Sequence, residues 1–157
     1  MSTSPQTIDY KGSFTLPGSP EQIWSELARF DRYESWWSWL TDFHVDGAGL
    51  ATGSVLHGTV APPLPYRMRI EVTLVRCVPH RSIQASVAGD LRGTASLLLR
   101  SAGAETKTDV AWTIEMMQRR LRLVARVARP LLVWGHDRVV AATVARFREL
   151  LRAAHDP

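Results

Sequence analysis

Residues 66–116 alternate apolar and polar side chains in four successive runs, and one helical segment follows them. Tyr66, Met68, Ile70, Val72 and Leu74 alternate with Arg67, Arg69, Glu71 and Thr73. Ile83, Ala85 and Val87 repeat the pattern, as do Leu91, Gly93, Ala95, Leu97 and Leu99, and then Thr108, Val110, Trp112, Ile114 and Met116. Successive side chains of a strand point to opposite faces, so each run offers one apolar face and one wet one. Turns such as Gly89-Asp90 are too short for a crossover, which makes these strands an antiparallel meander. Its apolar face must be covered. Residues 119–154 supply the cover: Val133, Val140, Val144, Phe147 and Leu151 recur near the helical period, with an interruption or bend expected at Pro130, which lacks the N–H that a helix interior needs. The inward positions Gly12, Gly93 and Ala95 are small, and a sheet curved around one helix could leave room there for a ligand.

The N-terminal third adds a strand, two helices and more strands. Ile8, Tyr10, Gly12, Phe14 and Leu16 share one face of a strand over 7–16. After the Pro17-Gly18 break, Ser19-Pro20-Glu21-Gln22 combines an N-cap serine, a proline at the first helical position and a glutamine able to close a capping box. Asp31-Arg32-Tyr33-Glu34 starts a second short helix carrying Tyr33, Trp36, Trp37 and Leu40. Short strands are expected over 43–45 and 55–60, and the proline-rich stretch 61–65 is a loop. The order is β-α-α-β6-α: an α+β helix-grip fold, with a curved antiparallel sheet of about seven strands wrapped around a long C-terminal helix. At 157 residues, 1–157 reads as a single domain.

Composition narrows the function classes. Hydrophobic residues at 45% and charged residues at 22% are ordinary for a globular chain and exclude a disordered one. Residues 1–6 lack the pattern of a signal peptide and no run of about 18 apolar residues exists, so a cytoplasmic protein is expected. The lone Cys77 excludes an intrachain disulfide. The net charge of +4 sits in residues 119–157, which hold 9 Arg against 3 acids. Arg122, Arg126 and Arg129 fall on one helix side and suit weak contact with an anionic membrane, or simply a solvated face. No nucleic-acid module accompanies them. The histidines at 44, 57, 80, 136 and 155 lack metal-binding spacing, and neither a nucleophile elbow nor a dinucleotide-binding glycine pattern is present. No metal and no cofactor is expected.

The segments LPGSPEQIWSEL and YESWWSWL, with the long terminal helix, are similar to the SRPBCC (START-like, helix-grip) superfamily, in tone its polyketide cyclase/dehydrase branch. The resemblance implies an elongated apolar cavity between sheet and helix, and a hydrophobic small molecule, polycyclic or polyketide-like, as its occupant. Shared fold does not fix the chemistry. A cyclase or aromatase, a non-catalytic lipid or isoprenoid carrier, and an interaction module with its core closed by Trp24, Trp112, Trp134 or Phe147 all remain open. Candidate lining residues are Tyr33, Trp36 and Trp37 from the second helix, and Tyr66, Met68, Ile70, Ile83, Leu97, Trp112 and Ile114 from the strands. His136, Val140 and Phe147 come from the terminal helix. His136 and Asp137 are the weak catalytic candidates. Adjacent helix residues diverge by about 100°, so they are expected not to pair with each other, and an anchoring role for each is the alternative.

Overall fold

The computed structural model describes residues 7–61 and 67–155. Strand β1 (Thr7–Pro17) leads through α1 (Pro20–Leu27) and α2 (Tyr33–Trp36) to β2 (Leu40–Asp46), β3 (Val55–Val60), β4 (Met68–Val78), β5 (Ser82–Gly89), β6 (Leu91–Ala102) and β7 (Glu105–Met116). Helices α3 (Arg119–Val127) and α4 (Arg129–His155) close the chain. The sheet is antiparallel with order β1-β7-β6-β5-β4-β3-β2. Strands β1 and β2 thus occupy opposite edges, and α1 and α2 carry the chain from one edge to the other. This is the expected helix-grip architecture.

Local chemistry fixes each junction. Ser19 caps α1 as a capping box: its Oγ accepts from Gln22 N (3.2 Å) and its own N–H donates to Gln22 Oε1 (2.7 Å). Gly18 turns the chain at φ 106°, donates to Ala104 O and accepts from the fully buried Thr106 hydroxyl at 2.8 Å, which ties the end of β1 to β7. Pro130 stands in the first turn of α4, where its missing N–H costs nothing, so the expected disturbance is a complete break between α3 and α4. Two bulges bend the sheet, one between Thr41 and His44 opposite β3 and one between Leu74 and Arg76 opposite β5.

Several expectations need correction. Leu40 is the first residue of β2, because helix α2 ends after a single turn at Trp36. Strand β4 starts at Met68 and runs on to Val78, and β7 starts earlier at Glu105, because pairing with β5 and with β6 carries them into less apolar sequence. Val133 is 38% exposed although it lies near the angular position of Val140, because in the first turns of α4 the covered face is the one carrying Leu132, Gly135 and His136, and only further along does it pass through Val140, Phe147 and Leu151. Trp134 is also exposed, with the Arg138 guanidinium 5.2 Å from its ring, and does not close the core.

Two of the small inward residues leave no space. A Cβ on Gly12 would lie 2.5 Å from Tyr10 Oη, because the Tyr10 ring folds across the glycine. A Cβ on Gly93 would lie 1.8 Å from the backbone oxygen of Thr113 on β7, so this glycine serves close strand approach. Ala95 alone of the three faces open space.

Candidate functional site

Between the concave face of the sheet and α4 lies a cavity of about 430 Å³. Sheet curvature creates it, and α2 and α4 cover it. Met68, Ile70, Ile83, Leu97, Trp112 and Ile114 line it from the strands; Tyr33 and Trp36 line it from α2, and Trp37, expected on that helix, lines it from the extended residue that follows. His136, Val140 and Phe147 complete the expected set from α4, and Tyr66 lies outside the described residues. The core is therefore not closed by its tryptophans. Alternation found the strand residues because the inward parity holds from Met68 to Leu74, ahead of the β4 bulge, and along β5, β6 and β7. Further lining from Phe14, Leu56, Val87 and Leu132 was visible in the same patterns but not singled out.

One end of the cavity is aromatic. Tyr33 stacks on Phe43 at 4.8 Å and contacts Trp36 at 4.7 Å, and Trp36 meets Phe147 edge-on at 4.8 Å. The Tyr33 hydroxyl donates to Leu27 O at 2.6 Å, which spends its polar end on the protein. Burial pushes the Tyr33 phenol far above its ordinary value. Because the folded value lies above the unfolded one, stability is complete below pH ~10 and falls as pH rises beyond it, by up to about 1.4 kcal/mol per pH unit for one such tyrosine. Tyr33→Phe should be the less stable protein at pH 8, having lost the bond to Leu27, and the gap should narrow by pH 11. Denaturant titrations at the two pH values check this; parallel losses would contradict it.

The polar corner is built by α4 and β7. The Trp112 indole Nε1 donates to His136 Nε2 at 2.9 Å. An indole nitrogen can only donate, so the neutral imidazole carries its proton on Nδ1, and Nδ1 lies 3.1 Å from Asp137 Oδ1. His136 and Asp137 therefore do pair, contrary to expectation: the short carboxylate swings back along the helix to meet the ring edge. Asp137 itself is exposed and does not line the cavity. Tyr10, which the sequence did not flag, stacks on Trp112 at 4.5 Å and meets His136 edge-on at 5.2 Å. Its phenol is raised first by burial and second by the Asp137 charge. The four side chains anchor the start of α4 to the sheet and leave neither imidazole nitrogen without a partner.

Two buried polar atoms of lining residues, Trp36 Nε1 and Thr108 Oγ1, have no hydrogen-bonding partner among the described residues. Unmet buried groups of this kind cost about 1–3 kcal/mol each. Sequence patterning cannot reveal them, since pairing depends on three-dimensional neighbours. The Cys77 thiol is raised by burial, which makes it a poor nucleophile.

The Arg cluster is divided. Arg122 donates to Met116 O and Arg129 to Thr7 O, so two of the three cations expected on a free face secure α3 and α4 to the sheet. Arg119, Arg120 and Arg126 are the exposed ones. No helix among the described residues is long and apolar enough to cross a membrane. On the convex side of the sheet, His44, Asp46 and His57 place their donor atoms within 4.8 Å of one another. Linear spacing concealed this group because its members come from two paired strands.

The fold recurs widely. A protein from Thermus thermophilus superposes with a TM-score of 0.77 at 12% identity, covering 95% of this chain and all of the other. The Zhui aromatase/cyclase of a Streptomyces species gives 0.70 at 16% identity, covering 93% and 94%. The di-domain aromatase/cyclase StfQ of the steffimycin biosynthetic pathway gives 0.72 at 10% identity, covering 96% of this chain and 52% of its own. A family model described as polyketide cyclase / dehydrase and lipid transport matches residues 7–153. The chain belongs to that family. No curated protein matches it in sequence. The cavity wall, from Ile8 on β1 to Phe147 on α4, falls within the span that the polyketide cyclase / dehydrase and lipid transport family model matches.

Proposed function

We propose that the protein binds a largely apolar, polycyclic or polyketide-like small molecule in the cavity and acts on it as a cyclase or aromatase. The observation that carries this reading is an open, almost wholly apolar space of about 430 Å³, within the usual range of ligand pockets, whose lining residues include the unpartnered Trp36 Nε1 and Thr108 Oγ1. Apolar walls favour a hydrophobic body by about 25 cal/mol per Å² buried. Confinement would fold a reactive chain so that its own carbons meet, a proximity effect. His136 is the proton-transfer candidate, and its use as a base requires Nε2 to leave the Trp112 indole, which substrate arrival at the cavity wall could bring about. The family and the aromatase/cyclases of like fold support the reading.

Native mass spectrometry of protein purified from its own host, followed by incubation with a poly-β-ketone, tests the proposal. A co-purified apolar molecule and conversion of the polyketone to cyclised product are expected. Absence of any bound molecule together with absence of turnover would contradict it.

A carrier function is the second reading, favoured by one surface. Leu123 and Val127 stand exposed one turn apart on α3, and Leu131 and Trp134 stand exposed on the first turns of α4, with Arg119, Arg120 and Arg126 exposed on α3. Leu132, Gly135 and His136 of the same α4 turns line the cavity. Exposed apolar residues together with arginine suit an anionic bilayer. Sedimentation with phosphatidylserine vesicles should then depend on salt and be lost in Val127→Ser; no binding by the wild type at low salt would exclude it.

A further inference from the structure

We propose that His44, Asp46 and His57, on the convex face of the sheet, form a site for a divalent transition metal of the zinc class, with Glu71 as the carboxylate that orients His57. The site is separate from the cavity, since these residues point to the opposite face of the sheet from Leu56 and Ile70.

The backbone arranges the group. His44 pairs with His57 across β2 and β3, and His57 pairs with Glu71 across β3 and β4, so the three share one row of the sheet, with Asp46 two residues along β2 on the same face. This depends on the bulge. Thr41 pairs with Thr59, and continued in that register His44 would face Leu56 on the cavity side. The inserted residue shifts the pairing so that His44 meets His57 instead, and it is accommodated by Asp42 in the left-handed region at φ 53°. A side chain re-aimed at that conformational cost, to stand beside a second histidine and two carboxylates, is the arrangement a metal site requires.

The donor chemistry agrees. The two imidazoles lie face to face, with centroids 4.5 Å apart and planes 5° from parallel, so their in-plane lone pairs run side by side and the exposed His44 ring must turn for both to meet one ion. His57 Nε2 is 3.0 Å from Asp46 Oδ2, and His57 Nδ1 is 3.3 Å from Glu71 Oε1. A metal-bound histidine characteristically donates its other ring N–H to a carboxylate, which fixes the tautomer and the ring plane. Glu71 Oε1 stands beside Nδ1 and would accept its N–H in the metal-bound form, in which Nε2, now hydrogen-bonded to Asp46, turns its lone pair to the ion on the side of Asp46 and His44. Tetrahedral zinc with nitrogen and oxygen ligands at about 2.0–2.1 Å needs donors about 3.4 Å apart, which the exposed His44 and Asp46 reach by side-chain rotation from within 4.8 Å. Two histidines and one carboxylate leave a coordination position for water. Since β2 is the edge strand, bound metal would clip that edge to β3.

Calorimetric titration of chelator-stripped protein with zinc chloride tests this. The expected result is saturable binding of one zinc per chain, weakened at least tenfold by His44→Ala and by His57→Ala, with no change in His80→Ala. Glu71→Gln should weaken it about tenfold, the lower end for loss of a carboxylate behind a ligating histidine. Zinc should also raise the melting temperature of the wild type and not of His57→Ala. All these side chains face away from the core, and circular dichroism of the metal-free variants is expected to match the wild type. No saturable uptake by the wild type, or equal uptake by His44→Ala or His57→Ala, would overturn the site; unchanged affinity in Glu71→Gln would overturn the role of Glu71.

Discussion

Gly93→Ala should destabilise the protein by about 3 kcal/mol or more, although it adds a single methyl group. Gly93 on β6 pairs with Ile114 on β7, and a Cβ there would lie 1.8 Å from Thr113 O and 2.9 Å from Thr113 C. These are backbone atoms of the longest strand pairing in the meander, and no rotamer change can move them aside. Relief requires the two strands to part where Leu91 and Met116, both buried, close the end of the sheet. Since 1 kcal/mol moves the midpoint of a domain of this size by about 2–4 °C, a fall on the order of 10 °C is expected in thermal melts. A midpoint within error of wild type would show that the strands part freely here. Gly93→Leu, for the same reason, does not fill the cavity.

Phe147→Ala should cost about 3 kcal/mol, the low end for a buried phenylalanine. The ring is 6% exposed and meets Trp36 edge-on, so the substitution removes both apolar burial and an aromatic pair. Part of the ring already faces the cavity, and contacts are missing on that side, which keeps the loss from being greater. The vacated volume joins the cavity. Equilibrium denaturation checks the stability, and an unchanged midpoint would mean that α4 does not clamp the aromatic end of the sheet.

The contrast between these residues shows what could be read in advance. Alternation at period two marks which side chains share a face, and it placed Ile70, Leu97, Trp112 and Ile114 on the concave side where they line the cavity. It could not mark Gly93 as a contact between backbones, because glycine in a strand looks alike whether it opens space or closes it. Val133 misled because periodicity gives a residue's angle on the helix and not which face of each turn meets the sheet, and in the first turns of α4 that face carries Leu132, Gly135 and His136. The pairing of His136 with Asp137, its capture by Trp112, and the convergence of His44 with His57 all depend on side-chain direction or on a bulge. None of these leaves a periodic signal. The capping box at Ser19, being local, was fully legible.

The central claim, that the space between sheet and α4 receives an apolar guest, is tested most directly by titrating the protein with an environment-sensitive naphthalene dye while following tryptophan emission. Ala95 on β6 and Val140 on α4 face the cavity from opposite walls, and each can carry a ring into it. The wild type should take up dye saturably, with Trp36, Trp37 and Trp112 quenched from within the wall. Ala95→Phe and Val140→Phe should each remain folded and bind at least tenfold more weakly, about 1.4 kcal/mol. Absence of saturable uptake by the folded wild type, or equal affinity in both filled variants, would contradict the account.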